Sequence, residues 1–223
     1  MEKEIRSFNI EFKSTPESRT IEGRAIPFNF DSPNREGFIE RILPSAVEGI
    51  IERSDIFMLY NHDRGKGFLA RNNKGKGTLN IDVRDDGVYF SFKPGNDNLS
   101  NYIWERMERG ELDEMSFAFS VQRDTWTKDA EGVWHRDISE FAGLYDFSIV
   151  DNSYYGIEGA ASCHRFAEVL AEEKAENERK LAELEKEEQE KREKEEEEAE
   201  KARQERIQAA YAKLLEENKD YMK

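Results

Sequence analysis

Two short segments of the chain each set a reactive side chain inside an apolar, strand-like run. They are Leu59-Tyr60-Asn61-His62-Asp63 and Met115-Ser116-Phe117-Ala118-Phe119. A hydroxyl attacks a carbonyl only when a base lies within hydrogen-bond reach, and that base needs a group to orient it. His62 is the candidate base, since it follows an apolar strand and has Asn61 and Asp63 as polar neighbours. Ser116 is the candidate nucleophile, a small hydroxyl amid Met115, Phe117 and Phe119. Asp146, flanked by Tyr145 and Phe147 on a later strand, is the candidate orienting carboxylate. A buried carboxylate needs a hydrogen-bonding partner, and an imidazole N–H is one. Sequence spacing does not bring the three together, and a structural alternative stands beside the chemical one. In it His62 closes a turn, Ser116 bonds to backbone and Asp146 meets an arginine.

Other reactive residues give weaker patterns. His135 sits between Trp134 and Arg136 in a predicted hairpin and reads as a surface or aromatic-packing residue. Cys163 is the only cysteine; it adjoins His164 in sequence, which is not a spatial dyad. His164 reads as structural. The scattered His residues and Cys163 lack metal-ligand spacing, so no metal is expected. Gly65-Lys66-Gly67 lacks the strand–loop–helix setting and the downstream Ser or Thr of a phosphate loop, and no cofactor is expected. Trp104, Trp126 and Trp134 read as core or rim aromatics.

The elements that must carry these residues are mostly strands. Ser7–Phe12 alternates with period two, and Thr20–Ile26 and Gly37–Ile42 read as the next strands. Pro44-Ser45-Ala46-Val47 opens a short helix. Ile56–Tyr60 is a nearly continuous apolar run, the mark of a strand buried on both faces, and it delivers His62 at its end. Thr78–Val83 and Val88–Phe92, joined through Asp85-Asp86-Gly87, form the clearest hairpin. Leu99, Ile103 and Met107 have helical spacing within 98–109, with Gly110 as the stop. The Ser116 strand follows, then strands over Val121–Trp126, Val133–Ile138 and Gly143–Val150. Strands this closely spaced favour a barrel over a parallel α/β fold.

Composition divides the chain in two. All fourteen Gly, all five Pro and all three Trp precede Phe166, and from there Glu, Lys, Arg, Ala, Gln and Leu dominate. A domain over 1–165 is large enough to close one hydrophobic core. The segment 166–223 reads as a solvated charged helix held by i,i+4 pairs, because Glu185–Glu200 has no apolar seam. Its last third, around Ile207, Tyr211, Leu214 and Leu215, is amphipathic enough to dock on a partner helix. The net charge of -15 argues against a nucleic-acid binder. A lone cysteine fits a reducing compartment. The start, Met1-Glu2-Lys3-Glu4, lacks the apolar core of a signal peptide, and no apolar run is long enough to span a membrane. A soluble intracellular protein is the expectation.

Taken in order, several blocks resemble one family. They are Gly23-Arg24-Ala25-Ile26-Pro27-Phe28, Phe38–Ala46, Leu59–Asp63, Gly77-Thr78-Leu79, Arg109-Gly110-Glu111-Leu112, Met115–Phe119 and Leu144–Val150. This series resembles the HK97-type prohead proteases of tailed phages, over about Ile5 to Tyr155. The resemblance implies a serine endopeptidase related in fold to the herpesvirus assemblin protease. That fold is α+β, mostly β: a closed β-barrel with surrounding helices, here plus a long charged C-terminal helix. It maps the base onto His62, the nucleophile onto Ser116 and the third member onto Asp146. It implies the major capsid protein and its scaffold segment as partners, and the immature capsid within the bacterial host cytoplasm as the place of action. Self-cleavage and a homodimer belong to the same implication; a membrane partner does not. Asn152-Ser153-Tyr154-Tyr155 departs from the Pro-Ala-Tyr of many relatives. The charged tail lies outside the resemblance, and two readings of it stand: a docking or delivery segment, and a helical spacer. A non-enzymatic assembly factor built on a degenerate protease barrel is the rival from another class. An esterase is weaker, because no Gly-x-Ser-x-Gly elbow surrounds Ser116.

Overall fold

A computed structural model describes residues 2–8, 12–15, 18–34, 37–151 and 160–218. Eleven strands and three α-helices follow in the order β1 (Glu4–Phe8), β2 (Phe12–Thr15), β3 (Thr20–Pro27), β4 (Phe38–Ile42), α1 (Ile50–Arg53), β5 (Asp55–Tyr60), β6 (Ala70–Asn73), β7 (Lys76–Gly77), β8 (Asn80–Arg84), β9 (Gly87–Phe92), α2 (Asn98–Glu108), β10 (Glu114–Lys128), β11 (Trp134–Val150) and α3 (Ala160–Asn218). Short 3₁₀ turns occupy Pro44–Val47 and Arg64–Lys66. The chain divides into two compact units, Met1–Phe166 and Ala167–Lys223.

The strands form two sheets. One has seven strands in the order β1-β10-β11-β5-β6-β7, with β4 also paired to β11, and the other runs β2-β3-β9-β8. The closed barrel expected from the sequence is therefore corrected. Among the described residues each sheet is open, and the first ends at β1 and β7 without rejoining. The reason lies in β11. Its Trp134–Ile138 half pairs in parallel with β4, and its Asp146–Ile149 stretch pairs in parallel with β5. One edge of a single long strand thus serves two shorter strands in turn, so the sheet forks instead of closing. The separate strands expected over 121–126, 133–138 and 143–150 are parts of one 15-residue and one 17-residue strand. They stay joined as one hairpin because bulges take up the twist near Phe119, Val121 and Arg123. Nor is the chain mostly β as a whole. Helix and strand residues are about equal in number, since α3 alone has 59.

The two sheets share one core. Ile21, Ala25 and Ile26 of β3 and Val88, Phe90 and Phe92 of β9 meet Met58, Met115, Phe117, Phe119, Phe147 and Ile149 of the larger sheet. Phe90 and Phe147 bridge the sheets with ring centroids 6.4 Å apart. Helix α2 adds Ile103 and Met107, and Asp97 caps it by accepting from the Ser100 N–H at 2.9 Å. Gly110, at φ 69, ends it in the left-handed conformation that a glycine adopts without strain. At the rim Phe38, Trp126, Trp134 and Phe166 form an aromatic cluster, with Phe38–Trp126 and Trp126–Phe166 centroids 5.0 and 5.6 Å apart. A side chain at Gly37 would run into the Phe166 ring.

In the second unit α3 is a solvated helix. Leu181, Leu184 and Ile207 are exposed, and pairs such as Glu176–Lys180 at 2.6 Å and Glu188–Arg192 at 3.9 Å link successive turns. No helix among the described residues is long and apolar enough to cross a membrane.

Candidate active site

Strand alternation sorts the larger sheet into two faces. Met115, Phe117, Phe147, Ile149, Met58 and Tyr60 point into the core. The residues between them, Ser116 on β10, Asp146 and Ser148 on β11, and Phe57 and Leu59 on β5, share the opposite face by register: Ser116 lies across from Ser148, and Phe57 and Leu59 from Asp146 and Ser148. Asp146 follows an extra residue, Tyr145, which interrupts the pairing between Phe119–Leu144 and Ala118–Asp146. That bulge re-aims Asp146, a common use of bulges beside functional groups.

His62 reaches this face from a tight turn at the end of β5. The Asp63 N–H donates to the Tyr60 carbonyl at 3.1 Å, and Asn61 and His62 have φ of 53° and 56°. Positive φ at both central positions is the type I′ pattern, and Asn and His are among the residues that tolerate it. The turn is pinned to β11: the Asn61 N–H donates to the Ile149 carbonyl at 3.0 Å, the Asp151 N–H to Asn61 Oδ1 at 3.2 Å, and the His62 N–H to Ser148 Oγ at 3.1 Å. Next to it the Tyr60 hydroxyl donates to Asp151 at 3.0 Å. Burial, then this bond, push the Tyr60 pKa up, so the hydroxyl stays protonated.

These elements bring Ser116, His62 and Asp146 into one chain of contacts. His62 Nε2 is 2.7 Å from Ser116 Oγ, and Nδ1 is 2.5 Å from Asp146 Oδ1. An ionised carboxylate only accepts, so Nδ1 carries the proton and the neutral ring presents Nε2 as acceptor to the serine hydroxyl. Once Nε2 is protonated, Ser116 accepts from it, and its own O–H turns to the Arg6 carbonyl, 3.0 Å away. The arrangement can take a proton from a hydroxyl and return it. Ser116 and Asp146 are buried, whereas the His62 side chain is 14% exposed.

The Asp146 carboxyl has three close contacts, and two of its partners also touch each other. Oδ1 accepts from His62 and, at 3.0 Å, from Ser148 Oγ; Oδ2 accepts from Lys3 Nζ at 3.0 Å; and Ser148 Oγ lies 3.1 Å from Nδ1. Burial alone would raise its pKa. The hydrogen bond from His62, the electrostatic attraction to its polar N–H and the Lys3 ammonium outweigh burial and hold it below the ordinary carboxylate value.

The profile of the caudovirus prohead serine protease family matches residues 7–172. This chain belongs to that family. A prohead protease role in phage capsid maturation accompanies the membership. The chain is also similar to the solved bacteriophage T4 capsid assembly protease gp21, at 12% identity and a TM-score of 0.41, over 67% of this chain and 99% of that one. At that distance the likeness carries no argument here. No curated protein matches.

Within this prohead protease family member, the sequence candidate His135 is engaged away from the site. His135 Nε2 bonds Asp129 at 2.9 Å in the β10–β11 hairpin turn. The Cys163 and His164 side chains, and Asn152-Ser153-Tyr154-Tyr155, lie outside the described residues. No group of three or more His, Cys, Asp or Glu among the described residues is arranged to hold a metal. Sequence reasoning missed three contributors. Ser148 had a signal, its i,i+2 spacing from Asp146 on one strand face. Lys3 and the Arg6 carbonyl had none, because the first strand was expected to begin at Ser7.

Proposed function

We propose that this family member is a serine endopeptidase that cleaves the scaffold segments of the major capsid protein from inside the immature phage capsid, within the bacterial host. The observation that carries the reading is the unbroken Ser116–His62–Asp146 chain on one sheet face, inside the matched region. In the proposed reaction Ser116 Oγ bonds to the scissile carbonyl carbon while its proton passes to His62 Nε2. The same proton goes to the leaving amine as the C–N bond breaks, and water then repeats the sequence to free the acyl group. Asp146 holds the ring in the tautomer that makes Nε2 the base. No step calls for a metal or cofactor.

The test is co-expression with the coat protein of three forms: the full chain, Ser116→Ala, and a chain ending at Phe166. The full chain should shorten the coat protein, and Ser116→Ala should leave it intact. Processing that persists unchanged in Ser116→Ala contradicts the nucleophile assignment, and no processing by any form favours an assembly factor. The chain ending at Phe166 keeps the core and the site face. It should retain cleavage and lose incorporation into proheads if α3 is a delivery segment. Unchanged incorporation makes α3 a spacer.

A further inference from the structure

The segment at the start of the chain contributes to the site face as well as to the sheet. β1 pairs with the nucleophile strand in the register Ser7–Ser116, Arg6–Phe117, Ile5–Ala118 and Glu4–Phe119. Alternation therefore turns Lys3, Ile5 and Ser7 toward the face of Ser116 and Asp146, while Glu4 and Arg6 turn the other way. Lys3 extends along this face to Asp146 Oδ2, the carboxylate oxygen that His62 leaves free, and is 45% exposed against 4% for the Asp146 side chain.

We propose that Lys3 is a positioning residue for the Ser116–His62–Asp146 site, acting through Asp146 to set the lowest pH at which His62 works as a base. The inference rests on the proposed catalytic reading. Two effects follow from the geometry, and both have the same sign. The ammonium stabilises the carboxylate as an ion, so Asp146 remains an acceptor to lower pH. It also partly offsets the negative charge beside the ring, and so opposes protonation of His62. Removing the charge weakens both, and the acid limb moves to higher pH.

Few other groups compete for this role. Among the described residues facing Asp146, β5 and its turn supply Phe57 and His62. β10 supplies uncharged Ser116, Ala118 and Ser120, β1 and its approach supply Ile5 and Lys3, and β11 itself supplies Ser148 and Tyr145. The Tyr145 hydroxyl lies 2.8 Å from Ser120 Oγ, and Lys3 Nζ lies 5.9 Å from the centre of its ring. The Arg64 and Arg71 guanidiniums lie over the Phe57 ring, 3.9 and 5.0 Å from its centre, and Arg71 pairs with Asp55. Among the described residues Lys3 is thus the cation bonded to Asp146 from outside the triad. An exposed ion pair contributes little in general, but here the carboxylate is buried and screened weakly.

The test follows the rate at which a fluorophosphonate probe labels Ser116 in the full chain as a function of pH, for wild type, Lys3→Met, Lys3→Gln and Lys3→Arg. The expected acid limb of Lys3→Met and Lys3→Gln lies about half a unit to one unit above that of wild type, the scale expected of a half-exposed charge on the far oxygen of the carboxylate that His62 touches. Lys3→Arg should restore the wild-type position, and high salt should narrow the gap. Acid limbs of Lys3→Met and Lys3→Gln that superimpose on wild type overturn the inference, whatever happens to the plateau rate. Should Lys3→Met fail to fold, Lys3→Gln decides alone. Wild-type labelling no greater than that of Ser116→Ala instead overturns the underlying catalytic reading.

Discussion

Ser148 makes three of the contacts that hold His62 and Asp146: it accepts from the His62 N–H, donates to Asp146 Oδ1 and lies beside His62 Nδ1. Ser148→Ala leaves the His62 N–H without that acceptor in a turn whose two central residues have positive φ, and takes one donor from Asp146. A lost partner of a buried polar group costs about 1–3 kcal/mol. The expected result is a fall of about tenfold or more in the rate of Ser116 labelling at neutral pH. Cysteine at the same position, able to act only as a weak donor and acceptor, should recover part of it. An unchanged rate in Ser148→Ala would mean that the turn and Asp146 hold their places without it. Legibility at this scale was uneven. His62, Ser116 and Asp146 stand out as polar residues inside apolar runs. Ser148 carries only its i,i+2 spacing from Asp146, and it is the register that puts it across from Ser116.

Four neighbouring strands are tied by charge on the core side of the sheet. Arg136 of β11 donates to Glu4 of β1 at 2.7 and 3.0 Å, to Glu40 of β4 at 2.8 Å and to Asp124 of β10 at 2.8 Å. Arg6 of β1 bonds Glu40 at 2.6 and 2.8 Å and Glu4 at 2.7 Å. Arg136 is 1% exposed. Burying these ions is costly, and removing one partner strands the others. Arg136→Met is therefore expected to destabilise by about 3–5 kcal/mol, read as a lower urea midpoint. The same change should loosen β1 and with it the Arg6 carbonyl and Lys3. The Glu40 carboxyl resists burial and is held below its ordinary pKa by the charge and hydrogen bonds of Arg6, then Arg136, and Asp146 is lowered too. A carboxylate with a lowered folded pKa adds stability above its unfolded value and loses it as pH falls through the folded one. The wild-type midpoint should thus drop steeply below about pH 4, where free carboxyls begin to protonate, and Arg136→Met should show a shallower drop. A midpoint flat through that range contradicts the network's role. The strands themselves were readable from alternation and turns, but this network was not. Glu4, Arg6, Glu40, Asp124 and Arg136 look like ordinary charged strand residues, and only the strand order makes them neighbours.

Over the whole molecule, the apolar patterning told strands from helices. It did not distinguish a closed barrel from an open, forked sheet. Both have short strands and frequent turns, and the difference lies in β11 pairing with β4 along one half and β5 along the other. Such parallel pairing joins strands far apart in sequence and leaves no local trace. The fork still positions the candidate site. Because β5 pairs with the Asp146–Ile149 stretch of β11, the His62 turn emerges beside Asp146 and opposite Ser116. The central claim is that His62 activates Ser116 in the folded full chain. Intact-mass analysis after brief exposure to a fluorophosphonate at neutral pH tests it directly. A single adduct is expected, mapped to Ser116, that is lost in Ser116→Ala and formed at least about a hundredfold more slowly in His62→Ala, the low end of general-base effects. An adduct on another residue, or equal rates with and without His62, would contradict it.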